Sequence, residues 1–293
     1  MPLAKLFIGS ALAVAFYSTA TFIAVREESA AARNTWGTAR DLIYLPSPNQ
    51  ARLMSLGYSN LVADFYWVKA LQYFSDPLQS LNRYKNLADF LDIVVGVDPD
   101  YKYTYKFAGL AIPYDTGRFH YVNTRRSTGF LERGAQRFPD NWQLHFFLGY
   151  NYLNFHDEPV RAAEQFAEAA RIPGSPKYLK AFAARAFAAG GEVDRAIEFS
   201  STAAQNATDP EIKQMMESRL VELRIEKELR RIEDAAKAFR ETHAHWPTLD
   251  ELVAGGFERG PSGFSLDDAG VAHSVETSRR MIIKHDQTGF RGD

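Results

Sequence analysis

Apolar positions recur at steps of three and four residues from about residue 60 to 239, with charged residues between them. That period belongs to helices that bury one face. In 60–74, Leu61, Phe65, Val68 and Leu71 or Gln72 follow it, and in 84–97 Leu87, Leu91, Val94 and Val95 do. The same pattern predicts helices over 101–110, 123–138, 142–153, 159–171, 178–189 and 193–204. A longer one runs from Asp209-Pro210 to about residue 243, with Ile212, Met216, Leu220, Leu223, Ile232, Ala236 and Phe239 on one stripe. Its other faces are dense in Glu, Lys and Arg, which suits a cap that closes a stack of helices.

Turn chemistry divides these helices into pairs. Asp98-Pro99-Asp100, Pro139-Asp140, Pro173 or Pro176, and Asp209-Pro210 mark the breaks, spaced by 40, then 34 or 37, then 37 or 34 residues. Upstream, Ser47, Pro48 and Gln50 form a capping box with proline at the first helical position. The helix they open ends near Gly57.

Within the pairs, small and aromatic residues recur in order. Leu148-Gly149 and Tyr152 are followed by Ala162, Phe166 and Ala169. Next come Gly191, Ala196, Phe199, Ala203 and Pro210. These residues resemble the tetratricopeptide repeat family, whose 34-residue unit is a helical hairpin with small residues where its helices cross. The resemblance covers about residues 60–208. It departs from the pattern where 112–122 are inserted between two helices, where Ser127 and Gly134 replace alanines, and where Ala183-Ala184 replace leucine-glycine. It implies a superhelix of about four hairpins whose product is a protein-binding groove.

Past residue 243 the character changes. Thr248 and Glu251 form a second capping box before a short helix that Gly255-Gly256 ends, and a hairpin is expected around Asp267-Asp268. The run from Trp246-Pro247-Thr248 through Gly263-Phe264 resembles the C-terminal lobe of type II secretion pseudopilins, which implies a small α+β fold and no site residue. The last stretch, 276–293, is polar apart from Met281-Ile282-Ile283 and reads as a mobile tail or loose edge strand.

Residues 6–25 carry no charge over 20 positions, enough for a helix across the ~30 Å hydrocarbon layer. The stretch exceeds the 7–15 residues of a signal-peptide core, so it is expected to stay as an anchor. The organisation expected is therefore a tail over 1–5, a transmembrane anchor over 6–25 and a linker over 26–46. A repeat domain over 47–243, an appendage over 244–275 and a polar tail over 276–293 follow. The fold class is all-α with a small α+β appendage. The expected place is a bacterial inner membrane, single-pass, with the soluble domain periplasmic.

Composition narrows the chemistry. A net charge of -2 gives no footprint for nucleic acid, and the absence of cysteine removes disulfides, thiolate sites and cysteine nucleophiles. No phosphate loop, nucleophile elbow or H-E-x-x-H motif is present. No catalytic residue, metal site, cofactor or small-molecule substrate is expected. His243 and His245 read as a solvated pair. Asp64, set in an apolar run, is expected to bond a neighbouring backbone amide or an arginine such as Arg52. The expected partner contact is Tyr114, Arg118, Phe119, Tyr121, Arg125 and Arg126, around the insertion, with the arginines facing an acidic peptide. The function expected is a membrane-anchored interaction scaffold or assembly factor whose partners are other proteins. A permanent structural subunit of an envelope complex is the alternative, and a hydrolase using Asp64 or the histidines a distant one.

Overall fold

The computed structural model describes residues 45–76, 84–113, 121–258, 260, 263–277 and 280–281, and Ser47–Asp293 form one compact unit. Residues 6–25 lie outside the described residues. Among the described residues no helix is long and apolar enough to cross a membrane.

The unit is mostly helical. In chain order the helices are α1 (Pro48–Met54), α2 (Ser59–Ser75), α3 (Leu87–Val97), α4 (Lys102–Ala111), α5 (Thr124–Arg137) and α6 (Trp142–Phe155). Then come α7 (Pro159–Arg171), α8 (Leu179–Ala189), α9 (Val193–Gln205), α10 (Pro210–His243) and α11 (Leu249–Ala254). Strands β1 (Phe264–Leu266) and β2 (Ala272–Ser274) pair antiparallel, with Ser265 opposite His273. The caps follow the residues that encode them. The Ser47 hydroxyl accepts from the Gln50 amide while the Gln50 side chain accepts from the Ser47 amide, and Thr248 with Glu251 repeats the arrangement.

Four hairpins, α2–α3, α4–α5, α6–α7 and α8–α9, stack in order. Each second helix also packs on the first helix of the next pair, and α9 packs on α10. Contacts thus stay between neighbours, as in a helical repeat array. Small residues set the spacing. A Cβ on Gly149 would lie 2.7 Å from the Phe166 ring and 3.0 Å from the Ala162 carbonyl, so α6 and α7 touch almost backbone to backbone. Gly109 meets Leu131 and Gly134 meets Tyr105 in the same way. Gly134 therefore stands where an alanine methyl would collide. Leu87, Leu91, Phe130, Leu131, Leu144, Leu179, Ala183 and Ala184 fill the interior. Each large buried side chain contributes about 1.5–3 kcal/mol.

Helix α10 serves two cores. Met216 and Leu223 close the repeats, while Leu229, Ile232 and Ala236 meet Leu252 and Ala272 in a second cluster. There the Trp246 ring lies against Gly270, whose positive φ of 75° and missing Cβ both matter. Glu226 interrupts the stripe. It is 1% exposed, accepts from Arg230 and Arg280, and takes the Met281 amide at 3.2 Å. Where the sequence reads a tail from residue 276, Arg280 and Met281 are docked on α10.

One face differs from the sequence reading. On α2 the buried residues are Ala63, Ala70 and Tyr73. Leu61, Phe65, Val68 and Leu71 stand exposed on the other side. The helix is apolar nearly all round, so period alone did not say which side meets α3.

Candidate partner-binding surface

The first helices of three successive hairpins leave aromatic side chains in solvent. Tyr103 on α4 is 71% exposed and Tyr150 on α6 39%. Phe182 on α8 is 45% exposed, with Tyr178 just before it at 48%. The period places them opposite the buried Ala108, Leu144, Leu148 and Ala183.

Ring contacts hold Tyr150 in one series and Phe182 with Tyr178 in another. Tyr121 lies 4.9 Å from Phe155, and Phe155 lies 6.1 Å from Tyr150. Burial pushes the Tyr150 hydroxyl above its ordinary value. Further along, Phe147 contacts Phe146 at 5.2 Å, Phe146 contacts Phe166 at 5.9 Å, and Phe166 contacts Phe182 at 6.0 Å. Tyr178 closes the series against Phe182 at 5.4 Å. Such edge and tilted contacts hold the rings rigidly, at about 0.5–1.5 kcal/mol each.

A buried polar network fixes α6 beneath Tyr150. Asn151 Nδ2 donates to Ser127 Oγ at 2.8 Å and to Thr128 Oγ1 at 3.2 Å. Ser127 donates onward to the Gly109 carbonyl, and Thr128 to the Thr124 carbonyl. Since the one Thr128 hydroxyl proton is used there, His156 Nε2, 2.8 Å away, is assigned as a donor to Thr128. Ser127 thus ties α4, α5 and α6 together. Next to it Tyr152 donates to Glu132 at 2.5 Å and accepts from Arg161, whose guanidinium also stacks 4.0 Å from the ring. Burial, then the bond to Glu132, pushes the Tyr152 hydroxyl well up.

The expected contact residues fall unevenly. Tyr114, Arg118 and Phe119 lie outside the described residues. Tyr121 sits at the edge of the insertion against Phe155. Arg125 is exposed on α5. Arg126 is engaged within the chain, 2.5 Å from Asp89 and 2.8 Å from Asp92, and Arg133 reaches Asp92 as well. Sequence reasoning did not single out Tyr150, Tyr178 or Phe182. Their place at first helices, on the side turned away from the buried core residues, was the available signal.

Asp64 is not buried, as the apolar run around it suggested, but exposed on α2. Its partner is Tyr101, whose hydroxyl is pushed up by burial and then by that hydrogen bond. Arg52 turns elsewhere, donating to the Gly96 carbonyl at 2.7 Å. His243 stacks on Phe239 with centroids 4.0 Å apart, and His245 lies 3.7 Å from Glu251. Among the described residues no group of three His, Cys, Asp or Glu is placed to hold a metal ion.

On the second-helix side, a cavity of about 400 Å³ opens between α7, α8 and α9, lined by Glu164, Glu168, Arg171, Phe187, Arg195 and Phe199. Four of its charges are paired internally, Arg171 with Glu168 and Arg195 with Glu164, while Glu198 also faces the cavity. Arg195 also lies 4.6 Å over the Phe187 ring. No family model, curated protein or solved structure matches the chain.

Proposed function

We propose that the chain is a membrane-anchored scaffold that binds a segment of another protein across the first helices of its hairpin stack. One observation carries this reading: Tyr103, Tyr150, Tyr178 and Phe182 stay exposed on successive first helices although the core beneath them is closed. Tyrosine and phenylalanine held this way are the residues interfaces favour, since they bring area at little entropic cost. The partner's anchors are apolar side chains on a helix or extended strand, as in other groove recognition. The resemblance of residues 60–208 to tetratricopeptide repeats supports the same use. The uncharged run over 6–25 supplies the anchor and confines the search to membrane-bound partners.

The test is a comparison of the full chain with a Tyr150→Ser, Phe182→Ser double variant, both purified from membranes by gentle extraction. The unchanged chain is expected to bring down a stoichiometric partner that the variant loses while keeping its helical circular dichroism and a cooperative unfolding transition. Recovery of the same proteins by both would overturn the reading.

A further inference from the structure

The two ends of the hairpin stack are finished differently. At the C-terminal end α10 covers the last hairpin and turns Glu217, Arg224 and Lys227 to solvent. At the N-terminal end, among the described residues, α1 packs on α3 and leaves the outer face of α2 open. That face carries Leu61, Phe65 and Val68. The end of α1 and the turn after it thrust out Leu53 at 79% exposure, Met54 at 72%, Leu56 at 85% and Tyr58 at 72%. Leu56 and Gly57 both have positive φ, of 48° and 93°, so this turn holds a leucine in a strained conformation with its side chain in water. A terminal hairpin with an apolar outer face is insoluble unless something covers it.

We infer that this end, from Leu53 to Val68, rests in the interfacial layer of a lipid bilayer. The inference builds on the anchored reading above. Three observations select lipid over a protein partner. First, Leu53, Met54, Leu56 and Tyr58 project with at least 72% of their surface exposed rather than lining a groove; a fluid phase conforms to such a projection, whereas a folded partner needs a matching hollow. Second, charge is almost absent: from Leu45 to Gln72 only Arg52, Asp64 and Lys69 are charged. Arg52 and Asp64 are engaged with Gly96 and Tyr101, and Lys69 lies along Phe65 with its amine 5.7 Å from the ring. A lysine on such a stem keeps its head in water while the apolar part sinks. Third, this end follows the uncharged run closely in sequence, with Pro48 about 20 residues past its last position. Tyr58 fits the headgroup level, where tyrosines collect, and the leucines reach the acyl boundary at a depth of about 5–10 Å.

The absence of cysteine makes the test direct. The full chain carrying Leu53→Cys or Leu61→Cys, and Val221→Cys on α10 as reference, is labelled with an environment-sensitive dye and reconstituted in phosphatidylcholine vesicles. All three sites are exposed, so folding is retained, checked by helical circular dichroism. The protein is expected to float with the vesicles. Labels at 53 and 61 are expected to be quenched several-fold more by acyl-chain nitroxides than the label at 221, and shielded from iodide. If the protein floats but both labels meet iodide as freely as residue 221, the inference falls and the anchor stands. Shielding from iodide without nitroxide quenching would mean a protein surface covers this end, which also overturns it. Failure to float would remove the anchored reading and the inference together.

Discussion

Arg280 and Glu226 are 54 residues apart in sequence, yet Nε of the arginine lies 3.1 Å from Oε2 of the glutamate. Arg280 also reaches Glu233 at 2.6 Å, clamping two carboxylates one above the other on α10. Burial alone would push the Glu226 carboxyl up. The bonds from Arg280, Arg230 and the Met281 amide outweigh it and hold the carboxyl below its ordinary value. Glu233 is held down likewise, against burial, by Arg280 and the Ala272 amide.

Because both folded carboxyls titrate below their unfolded values, their contribution is fully present above about pH 4.5 and is lost as the pH falls further. Replacing Arg280→Met strands a buried carboxylate and should cost about 3 kcal/mol at pH 7. The loss should shrink on acidification, read as a flatter dependence of Tm on pH. A Glu226→Leu, Arg280→Met pair should recover most of the stability, since apolar side chains of similar size replace buried ion pairs at little cost.

Gly149→Ala tests the closeness of α6 and α7. Helix propensity favours alanine by about 1 kcal/mol. The added methyl, however, meets a backbone carbonyl at 3.0 Å as well as a ring, and neither the α7 backbone nor its packed neighbours can give way cheaply. Overpacking of about 1–3 kcal/mol should win. Chemical denaturation should show a lower midpoint with an unchanged slope.

Most of the helical array was legible in the sequence because its signals are local. Capping at Ser47, Asp209 and Thr248 depends on residues within three positions, and all three caps form as their side chains dictate. The orientation of α2 was not legible, since Leu61 and Ala63 are both apolar and only contact with α3 decides between them. Nor was the docking of Arg280, a polar residue in a polar stretch whose partner lies far back in the chain. The exposed aromatics were visible as aromatics, but exposure belongs to the fold.

Ser200 offers a gain. Its side chain is fully buried in α9, beside Phe199 in the chain, and its hydroxyl has no hydrogen-bond partner. Ser200→Ala removes an unsatisfied group and should stabilise by about 1 kcal/mol, seen as a rise in Tm.

Asn151 serves as a donor to two hydroxyls whose own protons are committed elsewhere. Asn151→Ala should cost about 2 kcal/mol by leaving these groups unpaired. Asn151→Asp should be worse at neutral pH, because an ionised carboxylate donates nothing. Its stability should improve on acidification as the protonated acid regains one donor, opposite in sign to the Glu226 effect. Urea unfolding of the two variants at pH 5 and pH 8 separates these outcomes.

The uncapped end has a consequence for how the array opens. In a chain of units coupled only to their neighbours, stability is a sum of unit and interface terms, and a terminal unit lacks one interface. Among the described residues the α2–α3 hairpin meets one neighbouring hairpin and the short α1, while α4–α5 and α6–α7 each meet two hairpins. Fraying should therefore start at Ser59 rather than at the closed α10 end, with amide exchange around Ala63 and Ala70 faster than around Leu144 or Ala162. Anything that covers Leu61 and Phe65 supplies the missing interface and slows that exchange, so the first hairpin acts as a built-in gauge of whether its end is occupied.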